Sequence, residues 1–131
     1  MDELLEYLKS VKFEKQLEKL KKKLKNKTVV IYGTGLLFQR IKENYDLSDL
    51  NIIGVSDLKY TEDQEGTEAF GYKVIPLDKI AEYKPDYILI STVKFLGIMK
   101  NFCTNVFKGM NIKILPLVDK PFLTLLKEIF G

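Results

Sequence analysis

Apolar residues return along this chain in two rhythms. Over residues 2–25 they recur every three or four positions, with Leu4, Leu8 and Val11 on one stripe and Phe13, Leu17, Leu20 and Leu24 on a second. That spacing predicts helix with a buried side. The stripes are out of phase, so a kink or break is expected near residues 10–12. The lysine-rich end suits the negative pole of a helix terminus, and Asn26 is the expected stop. From residue 28 onward short apolar runs alternate with amphipathic stretches. Strands are predicted at 28–32, 52–56, 71–76, 87–92 and 111–117. Helices are predicted from Gly35 to about residue 44, at 77–83 with Asp78 as a cap, at 93–107, and at 121–130, where Phe122, Leu125, Leu126 and Ile129 form one stripe. Residues 59–71 carry Glu62, Asp63, Glu65 and Glu68 with two glycines and almost no apolar side chains. They read as a long loop, either a lid or a disordered segment.

Strand and helix in strict alternation imply an α/β fold with a parallel sheet. The simplest arrangement is a Rossmann-like sheet of about five strands in the order 3-2-1-4-5, with an added N-terminal helix. Residues 1–26 are then a helical extension and 27–131 the nucleotide-binding domain. Such sheets bind ligands at the carboxyl ends of the strands, where the order reverses, here between strands one and four. The residues gathered there are Gly33, Thr34, Gly35 and Leu36 after strand one, Asp57 after strand two, and Ser91 and Thr92 after strand four.

Each of these residue types has a physical job. Glycines let the chain turn sharply from strand to helix and come close to a phosphate, and the unpaired N–H groups of the helix start favour an anion. Asp57, 22 residues after Gly35, can accept from ribose hydroxyls. Ser91 and Thr92 can contact a ligand or cap the next helix. The third glycine of the dinucleotide fingerprint is Phe38 here. Gly33 and Gly35 are therefore also compatible with a turn that has lost its ligand.

Composition narrows the chemistry. Histidine is absent and the one cysteine is Cys103, which removes Ser-His-Asp and Cys-His catalysis and the usual zinc sites. Cys103 reads as a buried thiol on the apolar side of its helix. None of the seven tyrosines is followed four residues later by lysine, so the short-chain dehydrogenase pair is missing. No catalytic or metal-binding residue is assigned. Residues 1–27 hold nine lysines against five acids, while the rest balances twelve basic against thirteen acidic residues. The interleaving of the lysines with Leu20 and Leu24 reads as a solvated helix face, and no nucleic-acid partner is expected. No apolar run approaches the roughly 18 residues of a membrane span, and the start, Met-Asp-Glu, lacks a signal-peptide core. A cytoplasmic location is expected.

The motifs Val30-Ile31-Tyr32-Gly33-Thr34-Gly35, Ile53-Gly54-Val55-Ser56-Asp57, Gly71-Tyr72-Lys73-Val74-Ile75 and Pro85-Asp86-Tyr87-Ile88-Leu89-Ile90-Ser91-Thr92 together resemble the small Rossmann-like domains of bacterial surface-polysaccharide proteins. These include the N-terminal domains of sugar acetyltransferases and the nucleotide-binding domains of nucleoside-diphosphate-sugar dehydratases. The resemblance spans residues 28–117. It implies NAD(P) or a nucleotide-sugar along the carboxyl edge, with Gly33 to Gly35 near phosphates, Asp57 near a ribose, and chemistry supplied by another chain or a missing catalytic domain. A small-molecule nucleotide is the expected partner. Two alternatives stay open: a small sugar-nucleotide-modifying enzyme using Lys59 or Tyr60, and an interaction domain with a vestigial crevice. The two apolar stripes of residues 1–25 also predict a homodimer built on that helix.

Overall fold

The computed structural model describes residues 2–120. Four strands, β1 (Thr28–Tyr32), β2 (Asn51–Ser56), β5 (Tyr87–Ile90) and β6 (Lys113–Pro116), form one parallel sheet in the order β2-β1-β5-β6. This is the expected α/β, Rossmann-like sheet. The predicted third strand is reduced to a small hairpin, β3 (Glu68–Ala69) with β4 (Tyr72–Lys73), followed by a single parallel bridge from Val74 to Val55. Pro76, which offers no N–H, follows it closely. The predicted terminal helix over 121–130 lies outside the described residues.

Residues on successive strand positions face opposite ways, and the burial follows suit. Val29 and Ile31 of β1 with Tyr87 and Leu89 of β5 join one core, whereas Val30, Tyr32, Ile88 and Ile90 join the other. The first core is covered by α1 (Glu3–Ser10), α2 (Phe13–Lys23) and α3 (Leu36–Asn44). The second lies under the 3-10 helix Leu77–Tyr83, α4 (Leu96–Asn101) and the π-helical turn Phe102–Val106. No side chain caps the 3-10 helix, so Asp78 does not take that role.

The break between the N-terminal helices falls at Lys12, whose φ of 56° is left-handed. Through that turn both stripes reach the same core. Leu8, Phe13, Leu17 and Leu24 are buried there, with Leu4, Val11 and Leu20 packed at its edge. Burying a large apolar side chain contributes roughly 1.5–3 kcal/mol, so the pair is anchored within its own chain. The expectation of a homodimer through residues 1–25 rests on stripes facing two ways, and among the described residues both pack on the chain's own core. Asp2 caps α1, accepting from the N–H groups of Leu4 at 2.9 Å and Leu5 at 3.2 Å, and its carboxylate also pairs with Arg40 of α3. No helix among the described residues is long and apolar enough to cross a membrane.

The acidic stretch after β2 is structured. Thr61 and Gln64 form a capping box around the 3-10 turn Glu62–Gln64, and the Tyr83 hydroxyl donates to Glu65 at 2.7 Å. Cys103 is exposed. The helix is phased so that Phe102 and Phe107 turn inward, packing edge to face at 5.2 Å.

Two positions make the sheet testable. A Cβ on Gly54 would stand 2.4 Å from Ile75 Cδ1 and 2.9 Å from the Lys73 carbonyl oxygen, whereas one on Gly97 meets nothing within 4 Å. Gly54→Ala is expected to cost about 1–3 kcal/mol by overpacking, and Gly97→Ala, in a helix, to be neutral or slightly stabilising. Urea denaturation of both variants checks this. At the other end of the sheet the Asp86 carboxylate accepts from the Thr28 N–H at 2.8 Å and the Thr28 hydroxyl at 3.2 Å. The backbone bond from Thr28, then its hydroxyl and the charge of Lys27, hold the Asp86 carboxyl below its ordinary 3.8 despite some desolvation. A depressed carboxyl contributes its full stability above the ordinary value and loses it as pH falls through the folded one. Asp86→Ala should thus lower the urea midpoint at neutral pH, with the gap from the parent closing below pH 3.8.

Candidate functional site

The chain leaves β1 at Gly33, whose φ of 104° suits glycine alone among the common residues. Its N–H donates to the Ser56 carbonyl at 2.8 Å, and its own carbonyl accepts from the Ser91 hydroxyl. A Cβ there would come within 3.2 Å of both Ser91 Oγ and Thr92 Cγ2. Gly33 therefore serves the backbone first. Gly35 differs: its φ is −84° and a Cβ would meet nothing within 4 Å. Nothing in the fold demands glycine at this position, so its lack of a side chain keeps the entrance to α3 open.

Gly35 is the N-cap of α3 without a side-chain cap bond. Among the described residues the N–H groups of Gly35, Leu36, Leu37 and Phe38 have no acceptor, as expected for a helix start. Gly35 and Leu36 are exposed while Leu37 and Phe38 are buried. Phe38, at the third fingerprint position, packs edge to face on Phe70 at 5.3 Å in the core. A large ring thus fills the position where the fingerprint glycine serves close packing of helix and strand.

Asp57 reaches across from the end of β2. Its Oδ2 accepts from the Thr34 N–H at 2.8 Å and lies 3.4 Å from the Thr34 hydroxyl, and its Oδ1 accepts from the Lys59 N–H at 3.2 Å. Around the same residue the Lys59 ammonium donates to the Thr34 carbonyl at 3.2 Å, and the Tyr60 hydroxyl shares a 2.8 Å hydrogen bond with Thr34 Oγ1. Thr34 is buried. Beneath the turn, burial and then the charge of Asp57 hold the Tyr32 phenol above its ordinary 10. It stays neutral, packed edge to face on Phe102 at 4.8 Å.

The structure brings all seven sequence-selected residues to one edge, but gives them different work. Ser91 is buried and its hydroxyl is spent on Gly33, while Thr92 bonds the Lys94 carbonyl at 3.3 Å; neither caps α4, which starts four residues later. Leu36, 54% exposed, opens the rim together with Leu58 at 78% and Val93 at 36%. Each follows the carboxyl end of a different strand. Sequence reasoning missed Leu58 and Val93 of this rim, and Ser56, whose buried hydroxyl has no partner. No alternation marks Ser56, because the last three residues of β2 are all buried.

The family described as C2185-like, N-terminal matches residues 25–106, more than half of the chain. The chain belongs to the C2185-like N-terminal family. This corrects the resemblance to sugar acetyltransferase and dehydratase domains: their fold is present, but the C2185-like family is a different one, and degenerate strand-and-glycine motifs do not separate the two. No curated protein matches. A solved structure, the crystal structure of RSP in complex with β-NAD+ and operator DNA, matches this C2185-like chain at 19% identity and a TM-score of 0.46. The match covers 89% of this chain and 61% of that one, so the chain spans about three-fifths of that protein's length. That protein is itself bound to operator DNA, a finding against the expectation that nucleic acid is no partner. Interleaved leucines showed only that α2 has a buried side and carried no information about its lysines.

Proposed function

We propose that the carboxyl edge of the sheet is a nucleotide-binding crevice and that this chain works as a binding module for a ribose- and phosphate-bearing ligand, NAD foremost. The observation that carries this is the convergence of three features at the one place where the strand order reverses. These are an open helix start at Gly35 with unpaired N–H groups, a carboxylate fixed at the end of β2, and three exposed apolar side chains around them. Oriented N–H groups favour a phosphate. The lone pairs left on Asp57 suit ribose hydroxyls, and an apolar rim suits a base. No group here is assigned a catalytic step. A sugar-nucleotide ligand shares the same phosphate and ribose chemistry, but nothing at the edge favours the sugar.

A second reading has one observation in its favour. Asp57, Lys59 and Tyr60 already satisfy Thr34, so the turn is complete without a ligand. The crevice is then vestigial and the apolar rim serves another protein.

Calorimetry and thermal shift with NAD, UDP-sugars and adenosine nucleotides separate the readings. A ligand at a hundred times its dissociation constant adds about 2.7 kcal/mol to stability, and no stabilisation by any of them supports the vestigial crevice. Gly35→Val should leave a folded domain whose melting temperature falls modestly, since its Cβ meets nothing but valine is a poorer N-cap than glycine, yet abolish the ligand-induced rise. A variant that binds as well as the parent removes the phosphate role. Asp57 repels a 2′-phosphate, so NAD is expected to bind more tightly than NADP; the reverse order would assign the ribose end to Lys59 instead.

A further inference from the structure

We propose that the solvent face of α2 is a docking surface for the sugar-phosphate backbone of duplex DNA. The helix buries Phe13, Leu17 and Leu24 against the sheet. At 3.6 residues per turn, Lys15, Lys19 and Lys22 fall on the opposite side, with Lys23 at its edge, Lys12 at its start and all five exposed. Glu18 lies beside the row, one turn from Lys15 and from Lys22, with Glu14 on the same flank, and Lys21 is turned away to Asp49 at 3.7 Å. Among the described residues none of the five lies within ion-pair distance of a carboxylate. The row runs eleven residues, about 16 Å at 1.5 Å per residue. Counted charge by charge, five lysines can neutralise up to about five phosphates of the duplex.

The array is held still. Besides its buried side, α2 is tied through Gln16, which accepts from the Asp119 N–H at 2.7 Å and donates to the Asp119 carbonyl at 3.1 Å. An anionic membrane fits less well. Surface-lying helices insert their apolar face among the lipids, and here that face is already buried in the protein. The exposed apolar residues Leu36, Leu58 and Val93 border the glycine turn, not the lysine row. Lysines on phosphates position without reading bases, so binding should be indifferent to sequence. This inference is independent of the nucleotide crevice.

The test is fluorescence anisotropy of the full chain with two unrelated labelled duplexes of about 20 base pairs, between about 50 and 200 mM salt. The expected result is equal affinity for both and a logarithmic salt slope of about −4 to −5, at roughly 0.9 per phosphate. Lys15→Gln and Lys19→Gln should each reduce that slope by about one, and Lys19→Arg should restore it. Lys108→Gln, on the far side of the sheet, should change nothing. Melting curves confirm that the variants fold. Absence of binding at the lowest salt overturns the proposal, as does a slope indifferent to Lys15 and Lys19. So does tighter binding, at equal salt, to phosphatidylserine vesicles or to polyglutamate than to the duplex.

Discussion

The peptide unit of Gly33 is the point on which the carboxyl edge depends. Its N–H is taken by the last residue of β2 and its carbonyl by the hydroxyl that ends β5, so one glycine joins the three strands around the switch point. Both bonds are buried from water, and a buried backbone group left unpaired costs about 1–3 kcal/mol. The positive φ is therefore held by its surroundings. It aims the next residues out of the sheet, where α3 begins with its first N–H groups unpaired. Ser91, which by type alone could be a ligand contact, is spent on building the turn.

A second constraint works from the N-terminus. Two helices whose apolar stripes disagree in phase become one covering surface once a single left-handed residue, Lys12, redirects the chain. The cost of that backbone conformation, of order 1–3 kcal/mol for a non-glycine residue, is small beside the burial of Phe13, Leu8, Leu17 and Leu24. Phe13 also packs edge to face on Tyr45 at 4.9 Å. Coverage of the sheet therefore leaves the polar side of α2 to solvent, which is why the surplus of lysine there is free of structural duty.

Much of this was legible in the sequence, for identifiable reasons. Strand β1 is a β-branched run ended by glycine, and its bounds were read without error; α1 and α2 follow from a 3.6-residue period and its phase slip. The position of the third strand beside β2 was readable, but not its collapse to one bridge, because Gly71 and Pro76 weaken pairing by an amount that only the sheet decides. The burial of Cys103 was misread because a π-helical turn shifts the phase that an α-helical period assumes. Residue types and strand order gathered the candidate residues at one sheet edge, as the structure does. What they could not give was which polar groups are already spent, since that depends on contacts between residues more than twenty positions apart.

That distinction bears on how Asp57 would meet a ligand. A carboxylate has about four acceptor positions, and the protein uses them unevenly: Oδ2 takes the Thr34 N–H at 2.8 Å, while Oδ1 takes only the longer Lys59 N–H at 3.2 Å. Capacity remains on both oxygens, chiefly on Oδ1. The Thr34 bond therefore fixes the carboxylate without exhausting it, and a ribose arriving at Oδ1 meets a group already ordered and partly desolvated. The same bond removes the Thr34 N–H from the anion-binding set, leaving the donors of Gly35 and the first turn of α3 to hold phosphate. On the proposed reading a ligand at this edge would be held at two separated ends, by α3 for its phosphates and by β2 for its sugar, with the closed Thr34 turn as the fixed spacer between them.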